Sequence, residues 1–406
     1  MNPASFFSDL ARFGNAPALI DRDSGRVIRY SELEASLPDV TGRVVATWAK
    51  TSLDHLLVLL GALRQGSLVA PISFRLPREE AIRRAQILGA DVFYSRGAGV
   101  PPTFEKLPTA GGTPALLERT GTLLHTSGSS GHPRVIWHDL AAHIANAIGS
   151  SQRLPLGPGC GWLLQLPLNH VSGFSIPIRC LLSGAAVVFS DSEDEAVTHL
   201  SLVPTQLQRL LDSGAPLHRI RAVLVGGGSI SSTLVERAIC AAGAPLPGHE
   251  VRISQNGEIQ IRSAVLAKSS LGPDGRWEDL ADAEGWFSTG DLGSFNAESN
   301  LIIRGRRDRL IISGGENIQP ESIESLLLEI PGIRRAVVVG KSHSKFGERP
   351  VAFLAGDFQE KAIRQILSSR LERFAIPDQF HCWPSEVPED LAKPDFAFFK
   401  RLAADI

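Results

Sequence analysis

Short apolar runs alternate with helix-length amphipathic stretches through the first 240 residues, and this rhythm constrains the fold more than any other feature. Arg43–Trp48 reads as a buried strand. Ser52–Gln65 reads as a helix with Leu56, Leu57, Leu59, Leu60 and Leu63 on one broad face. Val69–Ile72 predicts a second strand, Arg78–Leu88 a second helix and Val92–Tyr94 a third strand. The pattern returns at Trp162–Leu166, Ala185–Phe189 and Ala222–Val225. Such alternation predicts α/β architecture, with mostly parallel sheets and crossover helices.

Gly97–Gly112, rich in Gly, Pro and Thr, reads as a surface connection. After Val251 the pattern changes. Val251–Ile253 and Glu258–Arg262 flank Asn256-Gly257, a strong hairpin signal. Past Gly305 it changes again: Glu321–Glu329 and Lys361–Arg373 read as helices, Ala336–Val339 and Val351–Leu354 as strands. The expectation is a large N-terminal domain over residues 1–305 and a small α+β C-terminal domain over 306–406. A chain of 406 residues suits two or three domains.

With 41 basic and 43 acidic residues, the net charge of −2 gives no field to attract nucleic acid or anionic lipid. Cys160, Cys180, Cys240 and Cys382 lie far apart without metal-ligand spacing, and read as buried or inert thiols. No apolar run reaches the roughly 20 residues needed to span a bilayer, and Met1-Asn2-Pro3-Ala4 opens no signal pattern. The expected location is cytoplasmic. Homo-oligomeric assembly stays open.

Leu123-Leu124 leads into Thr126-Ser127-Gly128-Ser129-Ser130-Gly131-His132-Pro133-Arg134. Glycines let a triphosphate approach the backbone, hydroxyls and amides supply donors, and Arg134 adds a forked cation. The spacing is not that of a Walker loop. Taken alone, the segment is also compatible with a flexible Ser/Gly turn. Ser288-Thr289-Gly290-Asp291 sets a short carboxylate on a tight turn, suited to a ribose diol or to an Asx-type turn. Gly305-Arg306-Arg307-Asp308-Arg309 is a charge run 15 residues beyond Asp291. Ser313-Gly314-Gly315-Glu316 precedes Pro320, which fits the first position of a helix.

In this order the motifs resemble the adenylate-forming superfamily of acyl-CoA synthetases, luciferases and peptide-synthetase adenylation domains. The resemblance runs from Phe6 to Leu402. It implies that Thr126, Ser127, Gly128, Ser129, Ser130, Gly131 and Arg134 grip the β- and γ-phosphates of ATP, with Arg134 replacing the usual Lys. It further implies that Asp291 and Arg306 hold ribose and phosphate, and that Asp308 is the hinge between domains. Lys393, in Leu391-Ala392-Lys393-Pro394, corresponds to the family's Lys that stabilises charge during adenylation, with Lys400 a competitor. Mg²⁺ would accompany ATP, and CoA would be the second substrate.

Leu166-Pro167-Leu168-Asn169-His170-Val171-Ser172-Gly173 resembles the substrate gate, with His170 at the acyl tunnel. His170 by itself reads equally as a core histidine. With Ser201-Leu202-Val203-Pro204-Thr205-Gln206-Leu207, the segment is most similar to the o-succinylbenzoate–CoA ligases of menaquinone synthesis. Arg179 then suits the second carboxylate of a dianionic aryl acid, or else snorkels to the surface. Gly226-Gly227-Gly228 follows a strand, where open α/β sheets bind ligands, and would lie against the acid or the adenine.

One element departs from the family. Between Gly228 and Pro245, relatives carry an aromatic-Gly-x-Thr-Glu motif that stacks on adenine and helps hold Mg²⁺. Here Ala241-Ala242-Gly243-Ala244 runs directly into Pro245. No metal ligand is assigned. The resemblance therefore leaves three outcomes: the o-succinylbenzoate enzyme, another aryl or acyl-CoA ligase, or a degenerate copy that only binds nucleotide.

Overall fold

The computed structural model describes residues 5–97, 102–108, 120–126, 134–191, 194–213, 217–226, 249–272, 275–296, 301–388 and 394–406. Ser127, Gly128, Ser129, Ser130, Gly131, Gly227, Gly228, Cys240 and Lys393 lie outside the described residues.

Two large sheets dominate the N-terminal part. In the first, the strands run in the order Ala222–Val225, His199–Leu202, Gly161–Leu163, Ala186–Phe189, Pro17–Asp21, Arg26–Arg29, all parallel to their neighbours except the last. In the second, Val44–Ala49 sits between Leu68–Ile72 and Val92–Arg96, again in parallel. Such strands are covered on both faces, so they read as continuous apolar runs.

The helix Leu53–Arg64 supplies one cover. Ser52 caps it by accepting the His55 N–H at 3.3 Å. Leu56, Leu57, Leu59, Leu60 and Leu63 are all buried in the main core, and each contributes about 1.5–3 kcal/mol by leaving water. Observed element bounds agree with the expected ones to within a few residues. In the N-terminal part the exception is the expected connection Gly97–Gly112, which contains the strand Thr103–Lys106. It pairs antiparallel with Val92–Arg96 and sets Phe104 against the Tyr94 ring at 5.0 Å. Four residues between turn formers are too few to declare a period.

His249–Ile253 and Glu258–Ser263 form the anticipated hairpin, with Gly257 at φ +80° in its turn. They continue into Phe287–Phe295 and Leu301–Arg306 as a four-stranded antiparallel sheet. Beyond it lies a five-stranded sheet, smaller than the two large ones, built on the long pair Ile333–His343 and Gly347–Gly356. Only the middles of these strands are apolar, so the sequence marked them short. One face packs Leu327 and Leu367 from the helices Pro320–Leu328 and Glu360–Ser368; the other packs Phe399 from Phe396–Asp405. The expected helix Lys361–Arg373 stops at Ser368, where the Ser368 and Ser369 hydroxyls donate to the Gln365 and Ile366 carbonyls. Cys160 and Cys180 are buried and Cys382 is exposed. Among the described residues no helix is long and apolar enough to cross a membrane.

Candidate active site

Thr126 and Arg134 form the last pair of an antiparallel hairpin, Gly121–Thr126 with Arg134–Asp139. The Thr126 hydroxyl donates to the Arg134 carbonyl at 3.4 Å, and the Arg134 side chain is exposed. The two outermost members of the expected phosphate segment are thus fixed side by side; those between them lie outside the described residues.

The second group is set by strand register. Asp291 pairs directly with Arg306 across Phe287–Phe295 and Leu301–Arg306. Arg306 Nη1 donates to the Thr289 carbonyl at 2.9 Å and to Asp291 Oδ1 at 3.3 Å. Its Nε and Nη2 donate to the two oxygens of Asp308, each at 3.2 Å. These bonds hold the guanidinium pKa above its usual value. Gly290 stands at φ +77°, and a Cβ there would lie 2.9 Å from Arg306 Nη2. The Gly290 N–H donates to Glu258 Oε1 at 2.8 Å, and Glu258, itself buried, pairs with Arg307 at 2.5 Å. Asp291, Arg306 and Asp308 therefore meet in one half-exposed cluster.

The charge run that contains Asp308 is not uniformly solvated. Arg309 is largely buried between Glu321 and Glu324, donates to the Val338 carbonyl and stacks on Phe396 at 3.8 Å. Glu321 also accepts the Arg306 N–H at 3.3 Å, and burial pushes its pKa up. The sequence did not single out Glu258, Arg309 or Glu321. The spacing of Glu321 and Glu324, on one helix face after a basic run, was the available signal.

The third group belongs to the first large sheet and the helix Val171–Ser183. Gly226 ends Ala222–Val225, and its N–H donates to the Leu202 carbonyl at 3.1 Å. His170 precedes the helix Val171–Ser183 and is exposed, which excludes the reading of a core histidine. Arg179, on that helix, keeps only 8% of its surface exposed. It does not snorkel. Its Nε donates to Ser150 Oγ at 3.0 Å and its Nη2 to Asn146 Oδ1 at 2.9 Å, while Cζ lies 5.6 Å from the Trp162 ring centroid. No carboxylate among the described residues pairs with it. Burial pushes its pKa down to about 10, so it stays cationic at neutral pH.

No hydrogen bond or ion pair among the described residues joins the Arg179 group to the Asp291–Arg306 cluster. Lys400 pairs with Glu348 at 3.3 Å. Among the described residues no group of three His, Cys, Asp or Glu side chains could hold a metal ion, so they offer no cage for Mg²⁺.

Residues 100–251 match the AMP-binding enzyme family, and residues 322–390 match the AMP-binding enzyme C-terminal domain. The 2-succinylbenzoate–CoA ligase of Salmonella typhimurium is 38% identical over 307 residues, 66% of each chain. That of Escherichia coli K12 is 32% identical over 386 residues, 86% of this chain and 85% of the relative. The structure of an E. coli MenE variant with bound OSB-AMS superposes with a TM-score of 0.78 at 28% identity, covering 99% of this chain and 98% of that one.

Proposed function

The chain belongs to the AMP-binding enzyme family, and on that premise we propose that it is an ATP-dependent acid–thiol ligase acting on o-succinylbenzoate, in menaquinone biosynthesis. One observation carries the choice of acid. Among the described residues, Arg179 is a buried cation held by neutral groups alone. An uncompensated buried charge costs several kcal/mol, and a dianionic acid offsets that cost by bringing its own counter-charge. A benzoate or fatty acid has no second carboxylate to offer. The carboxylate not held by Arg179 is the one activated.

In the first step a carboxylate oxygen attacks the α-phosphorus of ATP and pyrophosphate leaves. Asp291 accepts hydrogen bonds from the ribose diol, and Arg306, fixed by Asp308 and Thr289, keeps that carboxylate oriented. Arg134 and the loop from Thr126 to Gly131 hold the β- and γ-phosphates. Lys393 offsets the charge that grows on the reacting oxygens; fixed charges aimed at a transition state are commonly the largest single catalytic contribution. In the second step the part of the chain beyond Asp308 turns about that residue, while Arg306 and Arg307 stay with the four-stranded sheet. CoA thiolate then attacks the acyl carbon and AMP leaves. Mg²⁺ supplies charge compensation for the triphosphate when bound.

The absent aromatic-Gly-x-Thr-Glu segment favours a second reading, a copy that binds nucleotide without turnover. One assay separates the two. Purified protein with ATP, Mg²⁺, CoA and o-succinylbenzoate is expected to release AMP and form thioester. Measurable ATP binding with no turnover of this or any aryl acid would overturn the ligase reading.

A further inference from the structure

The two partners of Arg179 come from one helix face. Asn146 and Ser150 are four residues apart on Leu140–Ser151, so both point at the neighbouring helix that carries Arg179. The Ser150 hydroxyl gives its own proton to the Ala147 carbonyl at 3.1 Å, which leaves lone pairs for the guanidinium. Asn146 turns its carbonyl oxygen to Nη2. A guanidinium has five N–H donors, and these contacts use two. Its plane is fixed as well, because the underlying Trp162 ring is held by a hydrogen bond from Nε1 to Ser201 Oγ at 3.1 Å. Arg179 is thus oriented on two sides and, among the described residues, neutralised on none.

We propose that Asn146 and Ser150 are the positioning residues that set the preference for a dicarboxylic acid. They fix the Arg179 guanidinium while leaving its charge for the second carboxylate of the substrate. An acidic residue at either position would anchor the cation equally well, and would also satisfy it. Asparagine at 146 gives the anchor without the counter-charge. The inference rests on the reading above that Arg179 meets the second carboxylate.

The test is Asn146→Asp in the full chain, nearly isosteric and able to pair with Arg179 internally. Two acids are compared: o-succinylbenzoate, and 4-oxo-4-phenylbutanoate, the same skeleton without its ring carboxylate. A charge-assisted pair lost to the substrate corresponds to a fall of about 10–100-fold in kcat/KM for the diacid. The monoacid should change by less than about 3-fold, so the selectivity ratio collapses. Ser150→Ala, which removes one anchor without adding charge, should lower the same ratio by about 5–10-fold and covers the case in which the first variant does not fold. If neither acid is turned over by the unaltered protein, the ratio is read from calorimetric binding of the two acids. An equal change for both acids, or an unchanged ratio, overturns the proposal. Arg179→Gln separates the two levels. If it leaves the preference intact, the placement of Arg179 fails; if it abolishes the preference while Asn146→Asp and Ser150→Ala do not, only the present inference fails.

Discussion

Gly290→Ala isolates what the Arg306 guanidinium does. Gly290 has φ +77° and Gly257 has φ +80°, so alanine meets nearly the same backbone penalty at both sites, about 1–2 kcal/mol. At Gly257 a Cβ finds nothing within 4 Å. At Gly290 it lies 2.9 Å from Arg306 Nη2 and 3.2 Å from Nη1 and Cζ. The guanidinium, at the end of a flexible side chain, yields by a few tenths of an ångström. The cost in stability is small, because Arg306 and Asp291 are each more than a third exposed and solvent screens their pair: under about 1 kcal/mol. The cost in binding is larger, since Asp291 then loses its orienting partner. ATP affinity should fall about 10-fold, or about 1.4 kcal/mol, in Gly290→Ala and stay unchanged in Gly257→Ala. Urea unfolding midpoints and calorimetric ATP titration of both variants check this. Equal loss of stability in the two variants, with ATP affinity unchanged in both, would refute the role given to the Asp291–Arg306 pair.

Arg134→Ala should raise the KM for ATP with little effect on the unfolding midpoint, because that side chain is exposed; an unchanged KM in steady-state assays would remove Arg134 from the phosphate site. Acid should destabilise the fold through the buried His143 and the half-buried His138. Burial holds His143 down to about 3 and His138 down to about 4, so below the unfolded value of 6.5 only the unfolded chain takes up these protons. Stability is complete above pH 6.5 and falls by about 1.4 kcal/mol per pH unit for each such group until the folded pKa is reached. Urea midpoints measured from pH 7.5 to 5 should decline, and His143→Gln should flatten the slope by about one proton.

The sheet-forming part of the fold was legible because its strands are buried on both faces and state their apolarity without interruption. Val44–Ala49 and Leu68–Ile72 are examples. Thr103–Lys106 was not, since an exposed four-residue edge strand carries no such record. Asp291 and Arg306 were legible as chemistry, and their ladder pairing gives a reason for the 15-residue interval. Asn146 and Ser150 were invisible. They matter only through a helix some thirty residues downstream, and nothing in a run of small residues announces a guanidinium opposite. The burial of Arg309 was not legible either: four charges in five positions do not say which of them is enclosed, and here it is the one between Glu321, Glu324 and Phe396.

That enclosure has a mechanical consequence. On one side of Asp308, Arg307 is tied to the buried Glu258; on the other, Arg309 is locked into the smaller sheet and its helix. A chain clamped on both flanks of a single residue bends at that residue and hardly elsewhere. The hinge proposed at Asp308 would thus behave as an axle rather than a tether. Its swing explores a narrow arc instead of a volume, and each excursion forfeits little conformational entropy. The Glu321 bond to the Arg306 N–H lies across that proposed axle and would act as its stop, marking one end of the arc.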